Sequence, residues 1–226
     1  MTCAAGKHGD GAWMGSLRLY GSDASVYVRI ARIALHEKGL PYTLVPVDVF
    51  SAEGRTPAYL GRHPFGKIPL LEDDGFELYE TGAICRYVDE AHAGPPLQPS
   101  EAKARARMNQ IISIADSYLY PHLVWGMYVE LVAKAGRGEA ADPERVAKAR
   151  ALAPVCLSVL DGFVAHREWL AGERFLLADA YVAPMLAYFM LVPEGGGMLP
   201  AYPNLERWWH AVGTRDSFRS TCPTTS

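Results

Sequence analysis

The chain reads as a mixed α/β unit followed by an all-helical one, and three observations predict that division. Strand-like and helix-like patterns alternate in the order βαβ and then ββα up to about residue 92. A run holding three prolines and a glycine, Ala93-Gly94-Pro95-Pro96-Leu97-Gln98-Pro99, then stops any helix. Beyond it, apolar residues recur mainly at helical spacing.

The first element is Leu17-Arg18-Leu19-Tyr20, alternating apolar and polar as a half-buried strand does. A Gly21-Ser22-Asp23-Ala24-Ser25 turn follows, and Val28, Ala31 and Leu35 then mark one face of a helix that Gly39 ends. Residues 42–47 supply a second strand, which a helical crossover makes parallel to the first. Ile68 to Leu71, the Asp73-Asp74-Gly75 turn and Phe76 to Leu78 read as a hairpin, and a helix runs from Glu80 to His92.

In the second unit, Met108, Ile111, Ile112, Ala115, Leu119 and Leu123 predict one long buried face, and Leu152, Val155, Val159, Leu160 and Phe163 another. Pro121 and Pro154 are expected to bend or interrupt these helices. A third helix spans residues 178–191, and a last one starts at Pro203. The expected organisation is a flexible extension at 1–16, an α/β domain at 17–93, a linker at 94–100, a helical domain at 101–219 and a flexible tail at 220–226.

Composition narrows the function. With 226 residues, 50% hydrophobic and 21% charged, the chain can bury roughly 70% of its unfolded surface without staples. A net charge of −3 offers no field for nucleic acid or an anionic membrane. Cys3, Cys85, Cys156 and Cys222 form no CxxC pair, so spacing predicts no zinc site or dithiol centre, and a reducing cytoplasm fits. The longest apolar run, Ala180 to Pro193, is short for a membrane span and contains Pro184. The glycine-rich opening shows no apolar core of a secretory signal.

Two local motifs are more specific. His63-Pro64-Phe65-Gly66-Lys67-Ile68-Pro69 runs into the hairpin, and Leu78-Tyr79-Glu80-Thr81-Gly82-Ala83-Ile84 leaves it. They resemble the glutathione transferase pattern Asn-Pro-x-Gly-x-Val-Pro followed by Glu-Ser-x-Ala-Ile. Gly172-Glu173-Arg174-Phe175-Leu176-Leu177-Ala178-Asp179 is similar to the family's opening of its core helix in the second domain. The resemblance covers residues 17–217, and residues 17–38 look most like the serine-type phi class and similar bacterial enzymes. It implies a thioredoxin-like domain with a mixed four-stranded sheet, glutathione as co-substrate, no metal or nucleotide, and a cytoplasmic homodimer acting in detoxification.

The resemblance also distributes roles. Pro69 should be a cis-proline, leaving the Ile68 main chain to pair with the cysteinyl part of glutathione. Thr81 would meet the γ-glutamyl carboxylate at a helix N-terminus while Glu80 pairs with its ammonium. Read alone, Thr81 is a helix cap and Glu80 a solvated carboxylate. Lys67 would reach the glycine end, with Arg55 standing in for an upstream histidine that the sequence lacks, and His63 is structural. Gly82 replaces a frequent arginine and removes a charge.

Ser25 is the expected catalytic residue, a hydroxyl donor to the glutathione sulfur rather than a nucleophile. A free thiol near pKa ~8.5 is mostly protonated at neutral pH, and lowering that by about two units needs about 2.7 kcal/mol of selective thiolate stabilisation. A serine before a helix is also an ordinary N-cap, and Ser22, Tyr20 and Tyr27 are rival donors. Arg29 either adds positive field or is solvated or salt-bridged. Tyr118, Trp125 and Tyr128 are candidates to line the electrophile site, although aromatics at helical spacing also build cores. Asp179 is expected to act in a capping motif that Leu176, in place of Ser or Thr, leaves incomplete. The resulting function is ionisation of glutathione for attack on a small hydrophobic electrophile by conjugation, dehalogenation or peroxide reduction. The alternative is a transferase-like module that binds ligand or protein without turnover.

Overall fold

The computed structural model describes residues 17–51 and 53–223. The expected extension at 1–16, Cys3 and the end of the tail lie outside them. Strands β1 (Leu17–Tyr20), β2 (Thr43–Val45), β3 (Leu70–Asp73) and β4 (Phe76–Tyr79) form one sheet in the order β2-β1-β3-β4. The first pair is parallel, and the other two are antiparallel, as expected. Helix α1 (Val26–Glu37) makes the crossover, α2 (Pro57–Arg62) is a short helix the sequence reading missed, and α3 (Thr81–Ala91) follows the hairpin.

Helix α1 is buried on two sides. Val28, Ala31 and Leu35 pack with Leu17, Leu19 and Leu71 of the sheet, whereas Val26, Ile30, Ile33 and Ala34 join the core of the helical unit. Burying both faces joins the two units into a continuous structure around α1, so the loop at its N-terminus is held from both sides.

The helical unit contains α4 (Ala102–Ile114), α5 (Pro143–Phe163), α6 (Leu177–Met190), α7 (Pro193–Met198), α8 (Pro203–Thr214) and α9 (Asp216–Ser220). Pro121 does not interrupt its helix. Helix α4 continues as a π-helical stretch, Ala115–Ala133, with Pro121 inside it. A proline gives up one N–H and its ring crowds the carbonyl one turn back, and the wider turn gives that ring room so that the helix continues. Pro154 likewise lies within a continuous α5.

The face expected on α5 is corrected. Val155 and Val159 are exposed, and the helix buries Val146, Ala149, Ala153, Cys156, Leu157 and Leu160 instead. A Cβ on Gly126 would stand 2.5 Å from the Ala149 Cβ, so the π-helical stretch and α5 touch through their smallest residues. Close approach of the helices selects the alanine face over the valine face, a choice that periodicity does not weigh.

The start of the expected tail is corrected as well. Thr221 is buried and its Oγ1 donates to the Ser217 carbonyl at 2.7 Å, while Arg215 makes a two-pronged ion pair with Glu37 of α1. With Arg215 at Glu37, the Thr221 carbonyl at Arg32 and Cys222 at Arg29, this segment runs antiparallel along α1. No single helix among the described residues is long and apolar enough to cross a membrane.

Candidate active site

Strand register brings three loops to one end of the sheet. Tyr20, the last residue of β1, pairs with Leu70, and Leu70 pairs with Tyr79, the last residue of β4. The turn at 21–25, the segment ending at Pro69 and the start of α3 at Glu80-Thr81 therefore emerge side by side. Residues distant in sequence become neighbours because β3 runs antiparallel to both its partners.

Ser25 caps α1 with φ −80° and ψ 127°, and its hydroxyl oxygen accepts the Val28 N–H at 3.4 Å. The capping role is therefore real, but it uses only an oxygen lone pair. The hydroxyl hydrogen has no acceptor among the described residues and is available to a ligand at the helix N-terminus. The tyrosine rivals are committed elsewhere: Tyr20 donates to Glu72 at 2.8 Å and Tyr27 to Asp116 at 3.0 Å. Burial, and then Asp116, push the Tyr27 hydroxyl well above its ordinary pKa, so it stays protonated.

The Ile68–Pro69 peptide is cis. No backbone hydrogen bond to Ile68 is found among the described residues, which leaves its N–H and C=O open to an extended ligand. Tyr59, on the unforeseen helix α2, donates its hydroxyl to the Lys67 carbonyl at 2.7 Å and steadies this segment from behind. Lys67 and Arg55 are both exposed. A Cβ on Gly66 would lie 3.2 Å from Arg55 Nε, so Arg55 lies against the turn that precedes Lys67 and the two cations belong to one patch. His63 is buried, its ring 4.6 Å from that of Tyr79, and burial lowers its pKa, in keeping with a structural part.

At the third loop, Glu80 is the N-cap of α3 and holds φ +73° without being glycine. Such a conformation is strained and persists where surrounding structure imposes it, a pattern typical of ligand sites. Glu80 is exposed and its side chain does not cap the helix, while Thr81 is buried at the first helical position. The plain capping reading of Thr81 is thus not what the helix start displays.

The charge expected to be missing at Gly82 is present by another route. Arg86 folds back one turn and donates to the Gly82 carbonyl at 2.8 Å and to Asn109 at 2.7 Å. A Cβ at Gly82 would stand 2.9 Å from this guanidinium, so glycine makes the room that Arg86 occupies. Arg29 is not solvated, and it forms no salt bridge among the described residues. It is buried, donates to the Phe218 carbonyl at 2.9 Å and to Cys222 Sγ at 3.1 Å, and ties the end of the chain to α1.

A tyrosine cluster of the helical unit, only part of which the sequence pointed to, meets the start of α1 and the loop before it. Tyr120 packs on Tyr27 with ring centroids 4.6 Å apart and meets Trp125 edge-on at 6.4 Å. Tyr128 packs edge-on against Tyr188 at 4.6 Å, and Tyr188 donates its hydroxyl to the Ala24 carbonyl at 2.5 Å. Trp125 and Tyr128 thus belong with the contacts to α1 and its loop. Tyr118 does not. It lies about half a turn from Asp116 and Tyr120, is 55% exposed and has no ring contact among the described residues.

Glutathione S-transferase family models match the chain twice, the N-terminal domain over residues 19–96 and the C-terminal domain over residues 143–209. Glutathione S-transferase 3 of Zea mays is 34% identical over 211 residues, 92% of this chain and 94% of its own. The chain belongs to the glutathione S-transferase family. The structure of glutathione S-transferase III in its apo form superposes with a TM-score of 0.83 at 32% identity, covering 93% of this chain and 99% of that one. A glutathione S-transferase-I bound to lactoylglutathione has a TM-score of 0.82 at 25% identity, covering 92% and 98%. The similar proteins include plant transferases of the phi class and, among solved structures, bacterial glutathione S-transferases, as the resemblance implied.

Buried Asp179 plays the structural part expected of it. Its carboxylate accepts from Leu170 N and Leu176 N at 2.9 Å and from Trp208 Nε1 at 2.8 Å. Leu176 has no polar side chain, and its main-chain carbonyl takes the Asp179 N–H at 2.9 Å instead. The motif closes through the backbone where a Ser or Thr hydroxyl was expected.

Proposed function

We propose that this chain is a glutathione transferase in which Ser25 stabilises the thiolate of bound glutathione for attack on a hydrophobic electrophile. The observation that carries this reading is the Ser25 hydroxyl hydrogen at the N-terminus of α1, without an acceptor among the described residues and in a loop at the same end of the sheet as the Ile68 backbone and the Glu80-Thr81 helix start. Glutathione lies along these loops. Its cysteinyl part pairs with Ile68, its γ-glutamyl carboxylate meets Thr81 and the α3 N-terminus, and its ammonium faces Glu80. Lys67 and Arg55 receive the glycine carboxylate.

The chemistry follows from position. A hydroxyl donor and a helix N-terminus both favour the ionised sulfur over the thiol, which raises the concentration of nucleophile at neutral pH. Holding the electrophile beside that sulfur then removes the entropy of encounter. Trp125, Tyr128 and the neighbouring Tyr120 supply apolar and aromatic surface for it. Conjugation, dehalogenation and peroxide reduction all begin from this thiolate, and a homodimer working in cytoplasmic detoxification is the setting that the family resemblance implies.

The test is the ultraviolet absorbance of the thiolate when glutathione is added to the protein across a pH series, followed by turnover with a panel of activated halides, enones and hydroperoxides. A bound thiol titrating well below about 8.5, together with turnover, supports the reading. Retention on immobilised glutathione with no thiolate and no turnover favours a binding module instead.

A further inference from the structure

We propose that Tyr188 is a positioning residue for catalysis, holding from the helical unit the peptide plane that aims the Ser25 hydroxyl. The inference rests on the role of Ser25 given above. The Ala24 carbonyl, which accepts from Tyr188, and the Ser25 N–H, which donates to the Ser22 carbonyl at 3.0 Å, belong to a single peptide unit. That unit is planar and stiff, so fixing both ends sets its tilt and with it the direction in which Ser25 leaves the backbone.

The rest of the turn is held at its margins. Gly21 exchanges hydrogen bonds with the end of β2 and the residues just beyond it, donating to Val45 at 2.9 Å and accepting from Val47 at 3.3 Å. Ser25 itself accepts the Arg29 N–H at 2.9 Å as α1 begins. Ala24 projects between these anchors and is exposed, yet its carbonyl is taken by a side chain from α6, 164 residues along the chain.

Tyr188 suits the task. It is 8% exposed, and the Tyr128 ring against its own restricts its movement. Burial pushes its hydroxyl up to about 12, so it remains a donor throughout the working range of pH. The Ala24 residue is exposed and its bond to Tyr188 only half-buried, so water can reach the carbonyl when the tyrosine hydroxyl is removed. The bond is thus of little value for stability, and its effect is on where the serine points. A misplacement of about 1 Å at a reacting group can cost up to ~100-fold in rate.

Tyr188→Phe tests this, since it keeps the ring and the Tyr128 contact and deletes only the donor. The expected result is a bound glutathione thiol whose pKa rises by about half to one unit and a kcat at pH 7 lower by roughly 1.5- to threefold, with KM for glutathione and the unfolding midpoint nearly unchanged. Tyr202→Phe, which deletes a hydroxyl bonded to the Pro154 carbonyl at 3.2 Å, serves as the control and is expected to leave both quantities unchanged. In a Ser25→Ala background, Tyr188→Phe should have no further effect on the thiol pKa, because the group it aims is gone.

An unchanged thiol pKa and kcat in Tyr188→Phe overturns the proposal, as does an equal loss in Tyr202→Phe or a full additional loss in the Ser25→Ala background. If Ser25→Ala alone retains the thiol pKa, the Ser25 assignment fails and takes this inference with it. Should Ser25→Ala lose activation while Tyr188→Phe keeps it, only the positioning role fails.

Discussion

Replacing Ser25 by alanine separates its two uses, capping and catalysis, because they differ in size. The cap is a long 3.4 Å bond from Val28, and its loss should cost about 0.5–1 kcal/mol of stability, at the low end of N-cap substitutions. The hydroxyl given to a thiolate is a hydrogen bond to a charged group, about 1.5–3 kcal/mol, or about one to two pKa units. If the intact enzyme holds the thiol at about 6.5, roughly three-quarters is ionised at pH 7, and alanine would return it to about 7.5–8.5 with roughly 3–25% ionised. The rate with an excess of electrophile should then fall about 3- to 25-fold at pH 7, while at high pH, where both proteins ionise the thiol, the gap closes. Thiolate absorbance measured against a buffer control, in parallel with the pH profile of kcat, reads both quantities. A Ser25→Ala protein with the wild-type thiol pKa and the wild-type profile would show that Ser25 is a cap and nothing more.

Other consequences can be measured independently. Glu80→Gln should weaken glutathione binding by about 1.5–3 kcal/mol, the worth of a charged hydrogen bond to the ligand ammonium, with kcat at saturating glutathione largely kept; calorimetric titration and KM report it. Glu130 is buried under Lys134 at 2.6 Å, the Asp142 N–H at 2.8 Å and Arg145 at 3.1 Å, and these partners hold its carboxyl below the ordinary value, the Asp142 N–H foremost. A folded pKa below the unfolded one gives stability that is present above about pH 4.5 and lost as pH falls through the lower folded value. Urea unfolding should therefore show Glu130→Gln less stable than wild type at pH 7, with the difference shrinking under acid. For Asp179, burial pushes the carboxyl up to about 6 despite three N–H donors. The raised pKa has the opposite sign, so its contribution to stability falls as pH rises from about 4 to about 6. Asp179→Asn turns an amide N–H toward a donor and should cost about 2–3 kcal/mol at pH 7, with conjugation by the folded fraction unimpaired.

Most of the α/β unit was legible because its signals are local. Alternation at Leu17 to Tyr20, the Asp-Asp-Gly turn and the glycine after α1 each act within a few residues, and the observed strands and α1 lie where those signals put them. The short helix α2 was not legible, since its six residues are too few to display a period. Nor was the buried face of α5, where Val155 and Val159 are as apolar as any core residue but the neighbouring helix approaches through Gly126. At the candidate site, Ser25, Ile68, Pro69, Glu80 and Thr81 were found through motif order. Their supports were not. Arg86 filling the space over Gly82, Tyr59 behind Lys67 and Tyr188 on Ala24 involve residues that carry no signal of their own in the sequence.

By itself, then, the sequence determined the succession of elements, the break between the two units and the residues that resemble a glutathione site, because propensity, turn chemistry and motif spacing are encoded within short stretches of chain. Only the tertiary structure decided that the tyrosine rivals are committed elsewhere. Tyr20 and Tyr27 are engaged by Glu72 and by Asp116, residues far along the chain, whereas the Ser25 hydroxyl hydrogen has no acceptor among the described residues, and a tyrosine from the other unit holds the carbonyl just before it. Whether a polar group is available or committed depends on what packing brings within about 3 Å of it, and such contacts are made between elements rather than along them.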